Sequence, residues 1–400
     1  MDSEDAGAMR RIPTRLDRYP AKMVSHLAEC IVSRYSDGCT SLLDPFCGSG
    51  AILAAGSRHG LKVTGFDVNP YAALLASVKL NGFSPAVARR LHGVVLDIAR
   101  SSDGRLAIAW DSKGYWFGPA TIGKYEQLRY AARELRLGRS RAGRAVLLAL
   151  ALSARLCSRA DQRSPKPFIS KRATRERGGR HFDPYICTKH LLDELCELYG
   201  KEKFAAPAKV THVDLTDAAG IPDSNHRYSH VMTSPPYINA QDYFRNFKLE
   251  LYVLEGLIPF EVSDLKCRFI GTERGLLMRD ISEADQEAHY CLIPELRTLG
   301  RASFRHAAIV HRYLHDMAKA IEAICKVITP TGTCVIVCGD NLVGGMHIRT
   351  WEALNMLMAS SGFSLYDSFS DTIQSRIVPP KRQGHKGLIK CERISAFRRT

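Results

Sequence analysis

Residues 41–82, SLLDPFCGSGAILAAGSRHGLKVTGFDVNPYAALLASVKLNG, leave this chain few folds to choose from. A short apolar run (Leu42, Leu43) ends in Asp44 and opens into a glycine-rich turn. A helix-like pattern follows from Ala51 to His59, then a second apolar run, KVTGFD, that ends in Asp67. Another helical pattern covers Tyr71 to Asn81. Strand, loop, helix, strand, helix in that order is the opening of a parallel sheet covered by helices.

The alternation pauses over residues 82–205, which read as mostly helical and basic. It resumes at KVTHVDLTD (209–217), YSHVMTSPPY (228–237) and GTCVIVCGD (332–340). A last helix is expected at about 348–361, ahead of two strand-like segments, FSLYDSFSD and CERISAFRR. The fold class is therefore α/β: a doubly wound sheet of about seven strands, mostly parallel, with helical insertions. Residues 1–81, 206–240 and 306–400 form the scaffold. Residues 82–205 are a helical, basic insertion, and residues 241–305 are a second one.

Bulk composition narrows the environment. Hydrophobic residues at 45% and charged residues at 24% predict a real core. No stretch approaches the roughly 20 apolar residues that span a bilayer. The longest apolar run, Ala145–Cys157, carries Arg155 and reads as a buried helix. MDSEDAGAMRRIPTR lacks the apolar centre of a signal peptide, so a soluble, cytoplasmic protein is expected, without membrane partners. Twelve scattered cysteines with no CxxC pair read as reduced thiols, and no His/Cys spacing makes a zinc site, so no metal is expected. A net charge of +15 favours polyanions, nucleic acid foremost.

DPFCGSG sets Gly48 and Gly50 between a strand and a helix, where the backbone can come close to a ligand. Asp44 ends the first strand, where a carboxylate can accept from an ammonium group. Asp67 ends the next strand, suited to two ribose hydroxyls. Asp214 ends a third, where it can accept from an adenine amine. Asp97, in GVVLDIA, rivals Asp214 for that place. Asp214 is preferred because residues 85–100 can continue a helix. There is no GxGxxG spacing and no GKS/GKT loop, so dinucleotides and nucleoside triphosphates fit less well. A ligand with an amino-acid end, a ribose and an adenine suits all three carboxylates.

Taken together, DPFCGSG, DVNP, VDLTD and TSPPY resemble, in that order, the motifs of S-adenosylmethionine-dependent amino-methyltransferases of the DNA N4-cytosine/N6-adenine group, the SPPY type. RYPAKM (18–23) is similar to the family's upstream cofactor motif. The resemblance implies a class I methyltransferase, Rossmann-like, with S-adenosylmethionine as cofactor. Asp44, Phe46, Gly48 and Gly50 would meet its methionine part, with Pro20 and Lys22 closing that side. Asp67 would hold the ribose, Asn69 (of DVNP) is a further cofactor-binding residue, and Asp214 with Leu215 would flank the adenine. It also implies double-stranded DNA as substrate and a companion restriction endonuclease as partner.

The same resemblance assigns catalysis to Ser234, Pro235, Pro236 and Tyr237. The lone pair of an exocyclic amine is delocalised into the base ring. Two acceptors aimed at the amino hydrogens, the Ser234 side-chain oxygen and the Pro235 carbonyl, would free that pair for displacement at the sulfonium methyl. The prolines hold the carbonyl rigidly, and Tyr237 offers a ring for a flipped base. Tyr243 and Arg245 would line the base pocket. Relatives with Ser at position 234 typically act on cytosine N4, so site-specific N4-cytosine methylation is expected; N6-adenine and RNA (tRNA) base methylation are the alternatives. A non-enzymatic relic has little use for an intact Ser-Pro-Pro-Tyr. No Pro-Cys dipeptide is present for C5 chemistry. Either insertion can supply phosphate contacts: residues 161–180 hold seven Lys/Arg against two acids, and the second insertion holds Lys266, Arg268, Arg274 and Arg279.

Overall fold

The computed structural model describes residues 23–164, 166–177, 182–200, 208–217, 221, 227–238, 243–272, 281–372 and 391–400. Five strands run parallel: β1 (Ser41–Asp44), β2 (Lys62–Asp67), β3 (Lys209–His212), β4 (Tyr228–Thr233) and β5 (Ile328–Gly339). A two-stranded hairpin, β6 (Asn341–Val343) and β7 (Met346–Ile348), follows at the exit of β5. β8 (Phe363–Thr372) and β9 (Cys391–Arg399) complete the sheet, with β9 antiparallel between β5 and β8. The order is β3–β2–β1–β4–β5–β9–β8. This is the mostly parallel, doubly wound α/β sheet of seven strands expected from the sequence. The connections after β1 and β2 carry helices, because parallel neighbours need a crossover.

Adjacent residues of β1 enter opposite cores, as a pleat requires. Leu42 packs with α1 (Ser25–Tyr35) and α2 (Ala51–Arg58), among Leu27, Ile31 and Ile52. Leu43 faces the other side, toward Tyr313 and Met317 of the long helix that precedes β5.

α3 (Pro70–Asn81) is buried around nearly its whole circumference. One side serves the sheet. The other packs on the helical insertion, α4 (Pro85–Ser101), α5 (Pro119–Glu134), α6 (Arg141–Cys157) and α7 (Pro184–Tyr199). Three of these helices start the same way, with a polar side chain followed by proline. Asn69, Ser84 and Asp183 accept from the backbone N–H of Tyr71, Val87 and Tyr185, satisfying a donor left over at the helix start. Ala145–Cys157 lies within α6 as a buried helix, with Arg155 donating to the carbonyls of Asp161 and Ser164. Asp97 lies in α4 and ends no strand.

α8 (Tyr243–Leu254), from the second insertion, shares the core of the first. Phe247 stacks on Tyr71 at 5.0 Å, and Tyr252 on Trp110 at 4.2 Å. α9 (Phe304–Val327) and α10 (Thr350–Ser360) cover the opposite face of the sheet. No described helix is long and apolar enough to cross a membrane.

Arg129, on α5, is buried and fastens the far end of α8. Its guanidinium donates to the carbonyls of Val253 (3.0 Å), Leu106 (2.8 Å), Ala107 and Glu255. Arg129→Ala would remove four hydrogen bonds and leave the buried Val253 carbonyl without this donor. The expected loss is about 1–3 kcal/mol of stability, read as an earlier midpoint in urea unfolding; a wild-type midpoint would contradict the clamp.

Candidate functional site

The carboxyl ends of β1, β2 and β4, with the segment after β3, surround a cleft of roughly 850 Å³. Asp44, Phe46, Gly48, Asp67, Asp214, Leu215, Ser234, Pro236 and Tyr243 all line it. The strand-end carboxylates and the Ser-Pro-Pro turn thus share one space.

Each carboxylate is held by its neighbours. Asp44 Oδ1 accepts from Thr233 Oγ1 at 2.7 Å and from the Phe46 N–H at 3.2 Å. Both bonds end on Oδ1, so Oδ2 carries neither. Asp67 accepts from Gly48 N–H through Oδ2 and from Asn69 N–H through Oδ1, each at 2.8 Å. Burial pushes the Asp44 carboxyl up to about 7, against the pull of the Thr233 and Phe46 hydrogen bonds and with the Asp67 charge adding to it. Burial likewise raises Asp67 to about 6, although two backbone hydrogen bonds hold it down. Two carboxyls whose charged forms burial disfavours suit a ligand that brings positive charge or hydroxyl donors. Asp214 Oδ1 accepts from the Thr216 N–H and hydroxyl at 2.9 and 2.7 Å.

The turn after β4 is fixed from four directions. Thr233 is bonded to Asp44, as above. Asn341, at the start of β6, donates to the Ile238 carbonyl at 3.1 Å and accepts from Thr350 Oγ1 at 2.9 Å. The Tyr237 hydroxyl donates to Glu392 Oε1 at 2.8 Å. Gly271, at φ +78°, passes so close that an added Cβ would sit 3.0 Å from the Tyr237 carbonyl oxygen. Tyr243, at the start of α8, lines the cleft beside Asp67; burial and then that charge push its hydroxyl above the usual tyrosine range.

Several expected residues stand elsewhere. Pro20 and Lys22 lie outside the described residues, as do Arg274 and Arg279. Pro235, Tyr237 and Arg245 are not among those lining the cleft, and Arg245 is exposed on α8. Gly50 caps α2 at φ +80°, its missing Cβ leaving room for Ala76 at 3.2 Å, so it serves helix packing. Asn69 is buried as the cap of α3. Arg268, read from sequence as a phosphate contact, lines the cleft, with Nη1 3.6 Å from Asp214 and 3.7 Å from Asp217. Glu392 and Asn341 carry no local signal of a role. Among the described residues no group of three His, Cys, Asp or Glu side chains is placed to hold a metal ion.

With this geometry in view, known proteins offer a partial likeness. No family model matches the chain. It is 32% identical over 84 residues to the Type II methyltransferase M.MvaI of Kocuria varians, a match covering 20% of this chain and 18% of that protein. It is 30% identical over 80 residues to the Type II methyltransferase M.MjaII of Methanocaldococcus jannaschii, covering 20% of this chain and 14% of that one. The chain therefore spans under a fifth of the length of these curated relatives. Among solved structures, a SAM-dependent methyltransferase of Methanosarcina mazei aligns over 92% of this chain and 96% of its own. The identity there is 8% and the TM-score 0.33, too loose to carry an argument.

The buried carboxyls set a pH dependence. Their folded values, about 7 and 6, stand above the ordinary aspartate value, so the native state keeps protons that the unfolded chain gives up. Their contribution to stability is full below about pH 4 and declines as pH rises to about 7. Asp44→Asn keeps an acceptor for Thr233 and removes the buried charge. It should raise thermal stability at pH 8 relative to wild type, by on the order of a few kcal/mol, and erase most of that gain by pH 4. Thermal melts across pH 4–8 measure this; equal gains at both ends would refute it.

Proposed function

We propose that this chain is an S-adenosylmethionine-dependent DNA amino-methyltransferase. Its favoured target is the N4 amine of cytosine in double-stranded DNA, on a base turned out of the helix. The observation that carries the reading is that Ser234 and Pro236 line the same cleft as Asp44, Asp67 and Asp214. Cofactor-type carboxylates and an amine-binding turn within one cavity fit a transfer between two bound partners. The short matches to two Type II methyltransferases point the same way.

The donor set suits the cofactor. Asp44, buried and half-neutral near pH 7, would gain from an ammonium group. Asp67 still has lone pairs for ribose hydroxyls after its two backbone bonds. Asp214, beside Arg268, would take the adenine amine, with Leu215 along the ring. When bound, S-adenosylmethionine supplies an electrophilic methyl group. The chain's own part is to orient and to accept. Ser234 Oγ, on a residue that lines the cleft, would take a hydrogen bond from the target amine, drawing its lone pair out of the ring. The second acceptor implied by the family resemblance, the Pro235 carbonyl, belongs to a residue not among those lining the cleft. The prolines hold the turn with little freedom to lose, which fixes the acceptor in advance. Net charge +15 favours the phosphate backbone.

Serine at position 234 is what favours cytosine N4 over adenine N6 or an RNA base. Tritiated S-adenosylmethionine given with duplex DNA or with tRNA, followed by mass analysis of the nucleosides, separates these outcomes. The expected product is N4-methylcytosine in DNA. N6-methyladenine would move the target while keeping the enzyme class, and label only in tRNA would overturn the DNA reading. Ser234→Ala should lower kcat by about a hundredfold or more while leaving cofactor Kd within about twofold. Equal loss of both would remove Ser234 from the chemistry.

A further inference from the structure

One cation lines the cleft without spending its hydrogens. Arg268 stands with Nη1 3.6 Å from Asp214 Oδ2 and 3.7 Å from Asp217 Oδ2, ion pairs too long to be hydrogen bonds. Among the described residues its guanidinium donates no hydrogen bond. A half-exposed pair of this kind adds little to stability, so folding is a poor reason for its place. The backbone beneath it is nonetheless fixed. The Arg268 N–H donates to the Leu265 carbonyl at 3.2 Å, closing the turn after a short helix, Val262–Leu265. Phe269 enters the core of the two insertions, Ile270 enters the core on the α9 side of the sheet, and Gly271 passes the Tyr237 carbonyl. The arginine therefore leaves a pinned strip of chain at the Asp214 end of the cleft.

Asp214 is half spent. The Thr216 N–H and hydroxyl both end on Oδ1, so Oδ2 carries neither. A carboxylate oxygen can only accept, and the neighbouring Nη1 can only donate. An acceptor and a donor side by side match a ligand edge with the opposite order. Adenine has such an edge: its amine donates, and the ring nitrogens on either side of it, N1 and N7, accept. In hypoxanthine a carbonyl replaces the amine and offers Asp214 no hydrogen. We propose that Arg268 is a cofactor-specificity residue, donating to a ring nitrogen of adenine while Asp214 accepts from the amine beside it. The proposal rests on the S-adenosylmethionine reading above and deepens it, without depending on which nucleic acid receives the methyl group. A role limited to steadying the Asp214 charge would leave Arg268 indifferent to the ring nitrogens.

Equilibrium binding tests this without turnover. Titration calorimetry compares S-adenosylhomocysteine with analogues carrying C–H in place of N1 or of N7, on wild type and on Arg268→Met. In wild type one of the two analogues should bind about ten- to a hundredfold more weakly than the parent, the usual weight of a hydrogen bond to a charged group. Arg268→Met should weaken the parent by the same factor and leave that analogue within about twofold of its wild-type affinity, because both changes remove one bond. If wild type loses affinity for neither analogue, the proposal is overturned, and that arm does not depend on how the variant folds. Equal weakening of all three ligands by Arg268→Met would also overturn it, reducing the arginine to charge support for Asp214. A protein that obeys the cycle yet methylates no DNA retires the DNA reading and keeps Arg268 in the site. Failure of wild type to bind S-adenosylhomocysteine overturns the cofactor reading and the proposal together.

Discussion

One buried hydrogen bond joins the two halves of this site. Thr233 ends β4 and donates to Asp44, which ends β1, at 2.7 Å. The two strands are paired neighbours, so the bond fastens together the points at which the chain leaves the sheet. On one side begins the glycine turn, on the other Ser-Pro-Pro-Tyr. Because both ends are buried, neither partner can exchange the other for water, and losing either would leave an unsatisfied polar group. The spacing between the carboxylates and the Ser-Pro-Pro-Tyr turn is thus fixed by sheet geometry and not by loops. Asn341, Glu392 and Gly271 then hold the far side of the turn.

Much of this arrangement was legible in the chain, for a local reason. Asp44, Asp67 and Asp214 are marked by the apolar runs they terminate, and strand ends of a parallel sheet converge on one edge by construction. Ser234 is marked by the prolines beside it. The helical nature of residues 85–100, which disqualified Asp97, is equally a matter of local pattern. Asn69 and Gly50 show where this kind of reading blurs. Both sit inside a binding-type motif, yet one caps α3 and the other relieves crowding against Ala76. Residue type and motif position are the same whether an Asn serves a ligand or a helix end.

What the sequence hid depends on distant pairing. Glu392 reaches Tyr237 across 155 positions only because β9 is inserted antiparallel beside β5. Arg268 reads as one cation among several in a basic segment, and only the return of that segment over the cleft brings it to Asp214. The two insertions look separate along the chain, but α8 and the helices of residues 82–205 bury their apolar faces in one core. α3 already hinted at this: a helix apolar around its circumference needs cover on its outer side as well as its inner one.

That shared core makes α8 a lever. Its first residue, Tyr243, borders the cleft, and its last turn is gripped by Arg129 within the helical insertion. Twelve helical residues form a rod roughly 18 Å long, and a packed helix does not compress along its axis. A load placed on the insertion would arrive at the cleft as displacement of a single tyrosine. The seating of the outer helices and the position of Tyr243 are therefore joined through one helix, held at its last turn by Arg129 and along its length by the shared core.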